Sequence, residues 1–167
     1  MSKLPSSSAV VFAAEKHKQL RAHSCFQSAP EMWLKVKGVI RASEYPEQSK
    51  PQNDGRGFEP FPDKAFKKYG RRKVCFEKAT FNHPYTGMKE KFEAELNTGN
   101  PIVVSLHPVG QPGWHGYLIY GQENGNFLMT TKTSPPNSTT QVSRLSLHLR
   151  TNEKVDCLFM RRPKDKE

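Results

Sequence analysis

The chain has 167 residues, carries a formal net charge of +10 and is 35% hydrophobic, with a mean hydropathy of −0.76 and a pI near 9.6. That length suits one domain with a substantial core, and no apolar run approaches the roughly 20 residues of a membrane-spanning helix. Cys25, Cys75 and Cys157, odd in number and far apart, argue against a disulfide framework and for a reducing working compartment.

Residues 1–18 read as a flexible, Ser-rich N-terminal segment, whose apolar run over residues 9–14 is too short for a secretory core. A single domain is expected over residues 19–160, and residues 161–167 form a basic tail. Within the domain, Cys25, Phe26, Ala29, Met32, Trp33 and Val36 recur at spacings of three and four, which predicts an amphipathic helix over residues 25–37 with Gly38 as its stop. Pro30 is awkward there, because a proline beyond the first turn removes an amide donor. Either the helix is irregular at that point or its regular part begins at Pro30, with Cys25 in a lead-in turn.

Residues 42–62 are rich in Pro, Gly and Asn and are expected to form an ordered surface loop. A short helix is expected over residues 63–69, stopped by Gly70, and then a strand over residues 72–79. Met88, Phe92 and Leu96, four apart, predict a helix over residues 86–96 closed by Asn97, Thr98 and Gly99. Residues 102–106, 117–120 and 127–131 are rich in β-branched and aromatic residues, and Pro-Gly and Asn-Gly pairs separate them, the pattern of an antiparallel meander. A polar loop (133–140), a stretch of alternating leucines (142–149) and a last strand (155–160) complete the chain. The expected order is a helical N-terminal half followed by a sheet, in one α+β domain.

Two residues in this frame could do chemistry together. A helix N-terminus lowers a thiol's pKa, and Cys25 opens the first helix. His115, between Gly113 and Gly116 at the mouth of a strand, is held on one side and reachable on the other, as a general base needs to be. Gln19, six residues before Cys25, could present its amide NH2 to a developing oxyanion beside the Cys25 backbone N–H. Trp114, next to His115, could wall a substrate groove. Plainer roles suit the rest: Cys75 and Cys157 as small buried hydrophobes, Trp33 as core, His23 as a solvated lead-in. The cysteines and histidines show no CxxC, HxxxH or HExxH spacing, so neither a metal site nor a cofactor is expected.

The phrases CFQSAPEMWLKVKGV, SEYPEQ and GNPIVVSLHPVGQPGWHGYLIYGQENGNFLMT, in that order, resemble the papain-like cysteine peptidase fold. The likeness is closest to its compact bacterial branch of bacteriocin-leader peptidases and pathogen effector proteases and deamidases. The resemblance covers Gln19 to Thr131, roughly two thirds of the chain. It implies a papain-like domain with Cys25 as nucleophile, His115 as general base and Gln19 as oxyanion donor. In that family an Asp or Asn some fifteen or sixteen residues after the histidine fixes the imidazole tautomer. Here those positions hold Thr130 and Thr131, with Asn126 and Asn137 as substitutes by position. Phe26 and Gln27 replace the family's small residues after the cysteine.

The activity implied is hydrolysis of an amide bond, by peptide cleavage or glutamine deamidation, on a protein substrate, with an acidic host protein as the partner a basic effector would meet. The implied location is a reducing cytoplasm, or a host cell reached without a cleaved signal peptide. Two alternatives stand beside it. One is a catalytically silent papain-like fold serving as a protein-binding module. The other is nucleic-acid binding through Lys67, Lys68, Arg71, Arg72 and Lys73 around Tyr69, and through Arg161, Arg162, Lys164 and Lys166.

Overall fold

In the computed structural model, residues 16–20, 25–48, 64–106, 115–132, 140–149 and 154–161 are described. They form helices α1 (Cys25–Val36), α2 (Met88–Asn97) and α3 (Leu145–Leu149). The strands are β1 (Lys64–Tyr69), β2 (Arg72–Asn82), β3 (Ile102–Leu106), β4 (His115–Glu123), β5 (Asn126–Lys132), β6 (Thr140–Arg144) and β7 (Lys154–Arg161). The fold is α+β: one seven-stranded sheet in the order β1-β2-β7-β3-β4-β5-β6, with antiparallel pairing throughout.

The meander is where the sequence pattern places it. β3 is buried along its whole length, so its continuous Ile-Val-Val-Ser-Leu run is that of a strand covered on both faces. Asn124 and Gly125, both at positive φ, make the tight β4–β5 turn that an Asn-Gly-type signal anticipates. β7 is the surprise, because the last strand of the chain inserts at the centre of the sheet between β2 and β3.

Two expectations about the N-terminal half are corrected. In place of the helix expected over residues 63–69, Lys64–Tyr69 is a strand paired with β2, with Tyr69 opposite Arg72. Gly70 at φ 65 leads a two-residue turn, so the glycine read as a helix stop is a hairpin residue. A run of six residues is too short to carry helical periodicity, and the hairpin supplies backbone partners that an isolated turn of helix lacks. The chain is therefore not a helical half followed by a sheet: β1 and β2 precede α2. Residues 142–149, the stretch of alternating leucines, are the end of β6 followed by the five-residue α3.

The helices divide between the two sheet faces by side-chain alternation. α1 lays Ala29, Met32 and Trp33 against Val74, Phe76, Val103, Leu118 and Leu158. α2 lays Met88, Phe92 and Leu96 against Val104, Tyr117, Ile119, Val155 and Phe159 on the other face, where Leu145 of α3 also packs. Trp33 and Phe92 are fully buried, and burying a side chain of that size stabilises by about 2–3 kcal/mol each. Glu95 of α2 is buried too, paired with Arg161 of β7 and with Lys91. Pro30 sits inside α1, which runs unbroken from Cys25, so the lead-in-turn alternative does not hold.

Two hydrogen bonds anchor the C-terminal end of α1. Trp33 Nε1 donates to the Pro101 carbonyl at 3.0 Å, and Lys37 Nζ donates to the Gly99 carbonyl at 2.8 Å. The C-terminal end of α1 therefore lies where β3 begins. Leu106 closes β3 opposite His115, the first residue of β4.

Candidate functional site

His115 Nε2 lies 2.8 Å from Thr131 Oγ1. The Thr131 hydroxyl in turn donates to the Gly116 carbonyl at 2.7 Å. With its one proton so committed, the threonine oxygen can only accept, so the imidazole proton is on Nε2 and Nδ1 carries a lone pair. The His115 ring also meets the Tyr117 ring edge to face, with centroids 5.2 Å apart. Burial holds the His115 pKa below its ordinary value, opposed by a backbone hydrogen bond to Lys132. The group is therefore a neutral base near pH 7.

Of the two threonines considered as third residue, the structure brings Thr131 to His115. Thr130, opposite Leu118, is on the other face by alternation. Asn126, opposite Glu123, stands at the far end of β5. Gln19 is buried, at 2% exposure, in the segment ahead of α1. The side chain of Cys25, and His23, Trp114 and Asn137, lie outside what is described. Alternation sets His115 on the face of Tyr117 and Ile119, whereas α1 covers the face of Leu118 and Tyr120. A meeting of Cys25 and His115 is therefore one around the end of the sheet.

A buried polar cluster between α1, residues 16–20 and residues 44–48 has no counterpart among the residues singled out from the sequence. Glu31 is fully buried. Its Oε2 accepts the backbone N–H groups of Glu47 and Gln48 at 2.9 and 3.0 Å, and its Oε1 accepts Gln48 Nε2 at 2.7 Å. Gln48 also reaches the residue 16–20 segment, donating to the Lys18 carbonyl and accepting the Leu20 N–H. Tyr69 of β1 donates its hydroxyl to Glu47 at 2.7 Å, which ties the hairpin to the same network. Burial raises the Glu31 pKa, opposed by these hydrogen bonds.

In the same cluster His17, fully buried, lies 2.8 Å from Ser28 Oγ through Nε2 and 2.9 Å from Lys35 Nζ through Nδ1. The ammonium can only donate, so Nδ1 accepts and Nε2–H donates to Ser28. Lys35 also stands over the Tyr45 ring, 3.6 Å from its centroid. Burial, Lys35 and then Lys132 lower the His17 pKa to about 3. Burial lowers that of Lys35 to about 8. Ser28, Glu31 and Lys35 recur at spacings of three and four, so a second, polar stripe on the helix was the signal available.

Among the described residues no group of three or more His, Cys, Asp and Glu is placed to hold a metal ion, and no helix is long and apolar enough to cross a membrane. Cys157 is buried, which raises its thiol pKa, and it does not present a nucleophile. Comparison with family models, curated proteins and solved structures finds no match.

Proposed function

We propose that this chain is a papain-like cysteine hydrolase acting on an amide bond of a protein, with Cys25 as nucleophile and His115 as general base. The observation that carries the proposal is the relay from His115 Nε2–H to Thr131 Oγ1 and from the Thr131 hydroxyl to the Gly116 carbonyl. It leaves Nδ1 as a base at the start of β4, opposite the end of β3. Nδ1 takes the thiol proton as Sγ attacks the carbonyl carbon, and Gln19 with the Cys25 N–H steadies the oxyanion. The C–N bond then breaks, the proton passes to the leaving nitrogen, and a thioester remains. Water, deprotonated by the same nitrogen, releases the acid and restores the thiol. Peptide cleavage and glutamine deamidation differ only in whether an amine or ammonia leaves.

Thr131 orients the ring but brings no negative charge to the imidazolium, so the pair works with less driving force than one backed by a carboxylate. On this reading Trp114 walls the groove and no cofactor takes part. The substrate is an acidic protein met in a reducing cytoplasm, that of the producing cell or of a host.

The test is the iodoacetamide alkylation rate of Cys25 against pH, followed by peptide mapping so that Cys25 is read apart from Cys75 and Cys157. Cys25 is expected to titrate below the usual thiol value of about 8.5, and His115→Ala to remove that shift. A Cys25 that titrates at the usual thiol value in both proteins overturns the enzyme. One observation favours that second outcome, a silent fold serving as a protein-binding module: His115 and α1 occupy opposite sheet faces.

A further inference from the structure

The tip of the β1–β2 hairpin overhangs a groove of about 390 Å³ lined by Val39, Ile40, Pro46, Tyr69, Lys68 and Arg71, with Glu44 and Arg72 at its rim. Its floor is apolar, because Val39 and Ile40 belong to the core under α1. Its rim is cationic, with Lys68, Arg71 and Arg72 all exposed against the single carboxylate of Glu44. Two of the rim groups are held in place. Arg72 donates to the Gly38 carbonyl, and Glu44 accepts the Arg41 N–H at 2.8 Å. Beside the groove runs β1, an edge strand that pairs with β2 alone among the described residues.

We infer that this groove docks an extended acidic peptide segment of a partner protein. One apolar side chain of the segment enters between Val39, Ile40 and Pro46, and flanking carboxylates meet Lys68 and Arg71. An apolar floor with a charged rim is the anatomy of a peptide pocket, and an edge strand with no second partner among the described residues offers main-chain hydrogen bonds to an extended chain. The exposed Lys68 discourages pairing between copies of this chain and favours an acidic strand at this edge. Nucleic acid suits the groove less well. The Tyr69 ring is half-buried and its hydroxyl is engaged by Glu47, so it offers no stacking platform. The groove requires neither Cys25 nor His115, so this inference and the proposed hydrolysis fail separately.

Fluorescence anisotropy with a short labelled peptide of Asp and Glu around a Leu-Phe pair tests it on the full chain. Lys68→Glu with Arg71→Glu, two exposed side chains near the turn, is expected to weaken binding roughly ten-fold, with circular dichroism and thermal midpoint as folding controls. Replacing Leu-Phe by Ser-Ser is expected to weaken it by a similar factor. Binding that ignores the double reversal, or that ignores the apolar pair, overturns the inference. So does a single-stranded oligonucleotide that binds more tightly than the peptide and loses affinity in the same double variant, since the surface would then be a nucleic-acid contact.

Discussion

Lys35 points its ammonium at the imidazole of His17, 2.9 Å from Nδ1, so a cation is hydrogen-bonded to a ring that must stay neutral. His17 is held to about 3 by burial, then by Lys35 and Lys132, against about 6.5 in an unfolded chain. Below pH 6.5 the unfolded state takes up a proton that the folded state refuses, so stability falls with pH between about 6.5 and 3. Glu31 acts in the opposite sense, since its raised pKa lets the folded state hold a proton the unfolded state has lost. The His17 contribution is therefore read as a difference between proteins. Urea midpoints should drop between about pH 7 and 4.5 more steeply in the wild type than in His17→Asn, which starts lower at pH 7. Equal slopes would mean that His17 titrates normally in the folded state.

Glu31 is the hub that holds residues 16–20 and 44–48 against α1. Glu31→Ala leaves the N–H groups of Glu47 and Gln48 and the Gln48 amide without their acceptor. The expected loss is about 3 kcal/mol by urea denaturation. Glu31→Gln keeps one acceptor oxygen but turns an NH2 toward a donor, and should lose about half as much. A loss within the error of the measurement in both variants would show that the clasp is not formed in solution.

Gly70 separates the hairpin from the helix that the sequence suggested. As a helix stop it would tolerate alanine poorly only at the helix end, whereas as a turn residue at φ 65 it sets the register of β1 on β2. No atom lies within 4 Å of a Cβ added there, so backbone strain alone sets the cost. Gly70→Ala should destabilise by about 1 kcal/mol and Gly70→Asn by less, because Asn visits the left-handed region more readily. Indifference of the thermal midpoint to both substitutions would argue against the turn.

What the sequence made legible follows from how each element is specified. α1, α2 and the meander carry their own periodicity, so Met32, Trp33, Phe92 and Val104 could be placed in the core from spacing alone. Residues 64–69 could not, because Lys-Ala-Phe-Lys-Lys-Tyr becomes a strand through its partner β2. The central position of β7 is set by pairing with β2 and β3, chain neighbours it does not have. At the candidate site, the sixteen-residue spacing of His115 and Thr131 was visible, but choosing Thr131 over Thr130 needed to know which side chain shares the face of His115. The polar clasp stayed hidden because burial of His17 and Glu31 depends on segments brought together from three parts of the chain.

That shared face gives the last prediction. In the wild type the His115 imidazole has a buried, uncharged partner, so its pKa should lie below about 6.5, with the proton of the neutral ring on Nε2. Both are read from 15N chemical shifts of the ring nitrogens across pH. Thr131→Val removes the acceptor while keeping the shape, so it should free the tautomer and destabilise by about 1–2 kcal/mol, since His115 N–H and Gly116 C=O both lose a partner. Thr131→Asp brings a carboxylate to the same position and should lift the His115 pKa above its unperturbed value, because an adjacent negative charge favours imidazolium. If the proposed pair is formed, the same substitution should also raise the thiolate fraction of Cys25 and with it the alkylation rate near neutral pH. Ring shifts that respond to Thr131→Asp without any change at Cys25 would separate a purely structural histidine–threonine contact from a catalytic one.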